Sequence, residues 1–158
     1  GCDFYMICSN TMHKHVPFIE QHVKTPNLHI ADATAAEILS RGVKKVALMG
    51  TRITMESDFY RGRLQSHGLE VLIPEEEDRA FIDNVLMTET GIGIVKEESA
   101  RRFYEIAQRL ADAGAEGVIL GCTEIGMLMQ QEHTNIPLFD TTIIHAETAA
   151  RKAIEEDL

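Results

Sequence analysis

Two cysteines of this 158-residue chain stand in near-repeats of one another. One copy is Gly1-Cys2-Asp3-Phe4-Tyr5-Met6-Ile7-Cys8-Ser9-Asn10-Thr11; the other is Gly114-Ala115-Glu116-Gly117-Val118-Ile119-Leu120-Gly121-Cys122-Thr123-Glu124. Each runs from glycine through a small residue and an acid into an apolar stretch, then a thiol, then hydroxyl or amide residues. The apolar stretch reads as a buried strand, so Cys8 and Cys122 are expected where strands end. A repeat that delivers one thiol per copy suits a pseudo-symmetric site with sulfur on each side of a substrate. If helix amides follow the thiol directly, they favour the thiolate and can bind a carboxylate.

Plainer readings stand beside this one. A cysteine after a strand is often a small buried hydrophobe. For Cys2, inside the apolar run, inert packing is the expectation. A redox disulfide between Cys8 and Cys122 is a further alternative. A metal site is not expected: there is no Cys-x-x-Cys pair, and His13 and His15 are two apart, which is not a helical ligand spacing.

The elements that must position these groups follow from periodicity. Strand-like runs are Asp3–Cys8, Val46–Gly50, Leu69–Ile73, Gly117–Cys122 and Ile136–Phe139. Several are unbroken apolar runs, as in strands covered on both faces. Helical patterns fill Asp32–Arg41, Met55–His67, Glu75–Thr90, Lys96–Ala113 and Thr142–Glu156, three of them stopping at Gly42, Gly68 and Gly114. The acidic run Glu75-Glu76-Glu77-Asp78 fits a helix N-terminus. After Cys8, Met12, Val16, Ile19 and Val23 have helical spacing, but Pro17 requires that helix to start late or kink. Strands alternating with helices predict an α/β fold with a parallel sheet. Ligands bind beyond the carboxyl ends of such strands, where Cys8, Thr51, Cys122 and Asp140 fall.

Composition narrows the partners. A formal charge of −10 with no basic stretch argues against nucleic acid, and any anion site must be local. No apolar run approaches the roughly 20 residues of a membrane span. Three cysteines, an odd number, and no secretory signal point to free thiols in the cytoplasm.

The motifs also resemble a family. Cys8-Ser9-Asn10-Thr11-Met12-His13-Lys14 and Gly121-Cys122-Thr123-Glu124-Ile125 resemble the first- and second-cysteine motifs of the aspartate/glutamate racemases. The likeness continues through Leu28-His29-Ile30-Ala31-Asp32-Ala33-Thr34, Leu48-Met49-Gly50-Thr51-Arg52-Ile53-Thr54-Met55, Asp58-Phe59-Tyr60-Arg61-Gly62-Arg63-Leu64 and Phe139-Asp140-Thr141-Thr142-Ile143-Ile144-His145-Ala146-Glu147. It implies racemisation of aspartate or glutamate without a cofactor. One cysteine, as thiolate, removes the α-proton; the other, as thiol, returns one to the opposite face. The carbanion then needs hydrogen-bond donors at the substrate carboxylate. Asn10, Thr11, Thr51 and Thr123 occupy loop positions that the family uses for such contacts, and each hydroxyl is equally a helix-capping candidate. Arg52 is the candidate for the distal carboxylate. Glu124 stands where the glutamate racemases of cell-wall synthesis carry His, which favours the aspartate branch; it either polarises Cys122 or opens a helix. His145 is a packed or capping residue, or one that faces the site. A related isomerase or decarboxylase on the same scaffold is the runner-up, although such decarboxylases look single-cysteine.

The resemblance further implies two similar parallel-sheet α/β domains, the first incomplete in this chain. On that reading residues 1–26 are the remnant of the first domain and carry Cys8. Residues 27–139 form the second domain, with Cys122, and residues 140–158 are a helix packing back on the first. The family carries additional sequence before its first cysteine, so the 158-residue chain alone is expected to be inactive or badly impaired. A homodimer is the expected assembly.

Overall fold

Four apolar runs pair into one wholly parallel sheet in the computed structural model, which describes residues 1–155. The strands are β1 (Lys45–Gly50), β2 (Glu70–Leu72), β3 (Val118–Gly121) and β4 (Leu138–Asp140), in the order β2-β1-β3-β4. Helices α1 (Val16–His22), α2 (Ile30–Ser40), α3 (Arg52–Glu56), α4 (Asp58–Ser66), α5 (Glu76–Thr88), α6 (Glu97–Asp112) and α7 (Thr141–Glu155) surround it. Val46, Ala47, Leu48, Met49, Val118 and Ile119 are buried completely. Their unbroken apolar pattern is thus that of central strands covered on both faces.

The chain leaves β1, makes α3 and α4, and adds β2 on one side. It then crosses back through α5 and α6 to place β3 on the other side of β1. The switch in direction lies between β1 and β3, and the crevice outside their carboxyl ends is where such sheets bind ligands. Helices α2 and α4 stop at Gly42 and Gly68, whose φ of 75° and 89° suit glycine at a helix end. Glu76, Glu77 and Asp78 form the first turn of α5, matching its macrodipole. No helix among the described residues is long and apolar enough to cross a membrane.

Three expectations change. Asp3–Cys8 is not a sheet strand: its only pairing is one parallel bridge, Tyr5 with Asn27. Because that segment stands outside the sheet, Cys2 is exposed, not packed, and Cys8 is exposed too. The run Met55–His67 is two helices, broken where Ser57 turns extended at φ −91° and ψ 147°. Pro17 sits in the first turn of α1, after a 3-10 turn over Thr11–His15, so the helix starts late. Residue Glu156 of the last expected helix lies outside the described residues. Helix α7 packs on α2, and the Lys152 ammonium lies 5.7 Å from the Phe4 ring.

Candidate active site

The two central strands end on register-paired glycines, Gly50 opposite Gly121. A Cβ on Gly50 would lie 2.8 Å from the Gly121 carbonyl oxygen, and one on Gly121 would lie 2.9 Å from that of Met49. Absent side chains let the strand ends close up. Thr51 and Cys122 are the next residues, so they leave the sheet side by side at the switch point.

Thr51 opens α3, and its hydroxyl accepts the Thr54 amide at 3.4 Å. It also meets the Thr54 hydroxyl at 3.0 Å. The Thr11 hydroxyl stands 3.1 Å from both. Three hydroxyls from two segments thus form a closed triangle, with Thr54 buried beneath and Thr11 half-buried.

On the other flank, the Asn10 amide donates from Nδ2 to the Thr141 hydroxyl at 2.9 Å, and Thr141 donates to the Leu120 carbonyl at 2.8 Å. The Thr141 proton is committed to that carbonyl, so its oxygen can only accept from Asn10. This fixes the amide orientation and leaves Asn10 Oδ1 buried without a partner. Thr141 follows β4 and Thr51 follows β1, with β3 between them. The Asn10–Thr11 pair therefore arches over the end of β3, where Cys122 emerges.

The Cys122 thiol donates to Glu124 Oε2 at 2.9 Å, and the Thr123 hydroxyl donates to the same oxygen at 2.7 Å. Burial, then the Glu124 carboxylate, pushes the Cys122 thiol up to about 12. No α-helix follows the thiol directly, so the condition for a lowered pKa is not met, and at neutral pH the thiol keeps its proton. Burial alone would raise Glu124, but the two donors outweigh it and keep the carboxyl below its usual range. Glu124 also precedes a 3-10 turn, Ile125–Met127, which its side chain does not cap.

Arg52 is engaged elsewhere. Its amide donates to Asp83 at 2.8 Å, and its guanidinium pairs with Glu56 at 3.1 Å and with Glu76. Its recorded partners are thus carboxylates of α3 and α5, not the hydroxyl triangle. His145 is a packed residue, bonded through Nε2 to the Leu28 carbonyl at 2.8 Å.

Sequence reasoning passed over Thr54, although Thr-x-x-Thr at a helix start was a legible signal. It also missed a cluster of buried imidazoles, His13, His29 and His145. The His13 ring centre lies 4.3 Å from that of His29 and 5.9 Å from that of His145. Beside them the Asp32 carboxylate takes two bonds from Arg63, at 2.6 and 2.7 Å, and one from His67 at 2.8 Å. Burial would raise Asp32, but these donors hold it at about 2. Among the described residues no three His, Cys, Asp or Glu side chains converge to hold a metal. A groove of about 800 Å³ between α6 and residues 127–136 is lined by none of the candidate residues.

A doubly wound parallel sheet with a thiol–carboxylate pair at its switch point defines an α/β protein with a candidate small-molecule site at the strand ends. The chain belongs to the Asp/Glu/hydantoin racemase family, whose model matches residues 1–149. A crystal structure of a candidate Asp/Glu racemase from Yersinia pestis is 43% identical with a TM-score of 0.92, over 98% of this chain and 67% of that one. An aspartate racemase homologue from Pyrococcus horikoshii is 33% identical with a TM-score of 0.87, over 97% of this chain and 67% of its own. The broad specificity amino-acid racemase of Bacillus subtilis is 26% identical over 94% of this chain, which spans 63% of that protein's length.

Proposed function

We propose that the protein of which this chain is at least a part racemises an acidic amino acid, aspartate or glutamate, without a cofactor, using Cys8 and Cys122 as opposed acid and base. The observation that carries this reading is the arch of Asn10 and Thr11 over the strand end that delivers Cys122. It ties the segment after one thiol to the strand end before the other. Family membership supports the reaction class.

Cys122 starts as the acid, because burial and Glu124 keep its proton on sulfur. Cys8, exposed to solvent, takes the substrate α-proton when that proton faces it. In the reverse direction the roles exchange: Cys122, left as thiolate when its proton has gone to the carbanion, takes the α-proton, and the Cys8 thiol returns one to the opposite face. The hydroxyls of Thr11, Thr51 and Thr123 are assigned to the substrate carboxylate and ammonium, with Asn10, held on Thr141, positioning Thr11 beside them. They stabilise charge as the α-carbon becomes a carbanion. Arg52, already paired with Glu56 and Glu76, is not assigned to the distal carboxylate.

Residues 1–26 and 27–139 are assigned to the two sides of the site, with the segment from residue 140 packing against both. The contact of Lys152 with Phe4 supports that division. The free thiols suit the cytoplasm, and a homodimer is the expected assembly, which light scattering would test.

The intact protein, incubated with L-aspartate or L-glutamate in D₂O, should lose optical rotation and gain α-deuterium with no added cofactor. Cys8→Ser and Cys122→Ser should each abolish both. Undiminished turnover in either variant sinks the two-thiol mechanism.

A further inference from the structure

The buried imidazole cluster is not used by the proposed chemistry, yet one of its rings touches the Cys8 segment directly. His13 is 1% exposed. Its Nε2 lies 3.2 Å from the Ile30 amide nitrogen, at the first residue of α2. A backbone N–H can only donate, so Nε2 carries no proton. The single proton of the neutral ring is therefore on Nδ1, which donates to the Ser9 carbonyl at 2.7 Å. Two bonds of opposite polarity use one ring, and each dictates the other. Together they fasten the peptide between Cys8 and Asn10 to the start of α2.

The surroundings hold the ring in that state. His29, from the same helix start, accepts the Ala31 amide through Nδ1 at 3.1 Å, so it too presents a neutral ring. His145 comes from α7 and Arg63 from α4, and both oppose a charge on His13. Asp32 favours one, but its carboxylate is already occupied by Arg63 and His67. Burial is the largest influence and lowers His13; the Ser9 carbonyl, next in size, raises it without reversing the direction. A proton added at Nε2 would face the Ile30 N–H, donor against donor, and break the tie to α2.

We propose that His13 is the positioning residue of the Cys8 segment, a neutral imidazole that locks Ser9–Thr11 to α2 and releases it on protonation. The inference rests on the proposed function only for what the segment does; the lock itself is read without catalysis.

The test uses nitrogen-15 NMR of the histidine rings and amide hydrogen exchange across residues 9–13 in the intact protein. The wild-type His13 ring should appear as the Nδ1–H tautomer. His13→Asn keeps an amide donor near Nδ1 but loses the acceptor for the Ile30 amide, so the tie to α2 opens and exchange should speed up. His13→Gln, which reaches only toward Ile30, should speed exchange about five- to tenfold, the effect of one lost hydrogen bond. An Nε2–H tautomer in the wild type overturns the proposal even if no variant folds. So does exchange in His13→Gln that matches the wild type. If the tautomer and exchange follow expectation while the wild type racemises neither amino acid, the lock stands and the proposed function fails.

Discussion

The Cys122 thiol and the Glu124 carboxylate are joined by one hydrogen bond, Sγ to Oε2 at 2.9 Å, made by a half-buried donor to an ionised acceptor. Burial and that contact act in the same direction and keep the proton on sulfur. Glu124→Gln removes the negative charge while retaining the size. Alkylation of Cys122 by iodoacetamide, followed against pH with Cys2 and Cys8 replaced by serine, should shift to lower pH. At a fixed pH near 8 the rate should rise on the order of tenfold, the factor given by one pKa unit. A superimposable pH profile would show that Glu124 does not hold the proton.

Gly50 and Gly121 set a second expectation. A methyl group on either meets a backbone oxygen at under 3 Å, which only strand movement relieves. Gly50→Ala and Gly121→Ala should each lose about 1–3 kcal/mol, the range for overpacking. Gly62 is the control, since it lies within α4 and its Cβ would meet Asp58 at an ordinary 3.6 Å. Gly62→Ala should gain about 0.5–1 kcal/mol. Urea unfolding of the three variants decides the matter, and equal signs would refute the close approach of the strand ends.

Acid should weaken the fold earlier than carboxylates alone would. Burial lowers His13, His145 and His29, the last to about 3. The unfolded chain takes up protons below about 6.5 that the folded rings refuse, so stability falls as pH drops from there. Each ring kept neutral contributes a slope of up to about 1.4 kcal/mol per pH unit. Asp32, held at about 2, acts in a separate window: its contribution is complete above its unfolded pKa near 3.8 and disappears as pH falls through 2. Denaturant midpoints that stay flat between pH 7 and 5 would contradict the buried, neutral imidazoles.

Thr141 is the buried relay between Asn10 and Leu120. Thr141→Val keeps the shape, strands the Leu120 carbonyl and frees the Asn10 amide, at a cost of about 1–3 kcal/mol. Thr141→Ser restores the hydroxyl and should recover most of it. Thermal unfolding distinguishes the two; a loss in Thr141→Ser as large as that in Thr141→Val would contradict the hydroxyl relay.

The central sheet was readable because Val46–Gly50 and Gly117–Cys122 are apolar without interruption, and that pattern needs cover on both faces. Asp3–Cys8 carries a similar pattern but no ladder, because pairing belongs to a neighbouring strand and a run of apolar residues does not name its neighbour. The Gly50–Gly121 contact and the Asn10–Thr141 bond were invisible for the same reason. Each joins residues far apart in sequence whose types are unremarkable alone. The histidines were read singly, as capping, packed or metal-spaced residues; their meeting required three segments to fold together. Cys122 was placed correctly at a strand end, but its raised pKa comes from burial and from the orientation of Glu124, neither of which spacing encodes.

The arch over β3 is a strap with two unequal buckles. At the β4 end, Asn10 is sealed inside and held by a hydroxyl whose own proton is committed to a strand carbonyl. At the β1 end, Thr11 is half-buried, and its hydroxyl shares interchangeable bonds with two others. A strap fastened this way is held more firmly at one end than at the other. The weaker fastening of the strap is thus at the β1 side, among the threonines.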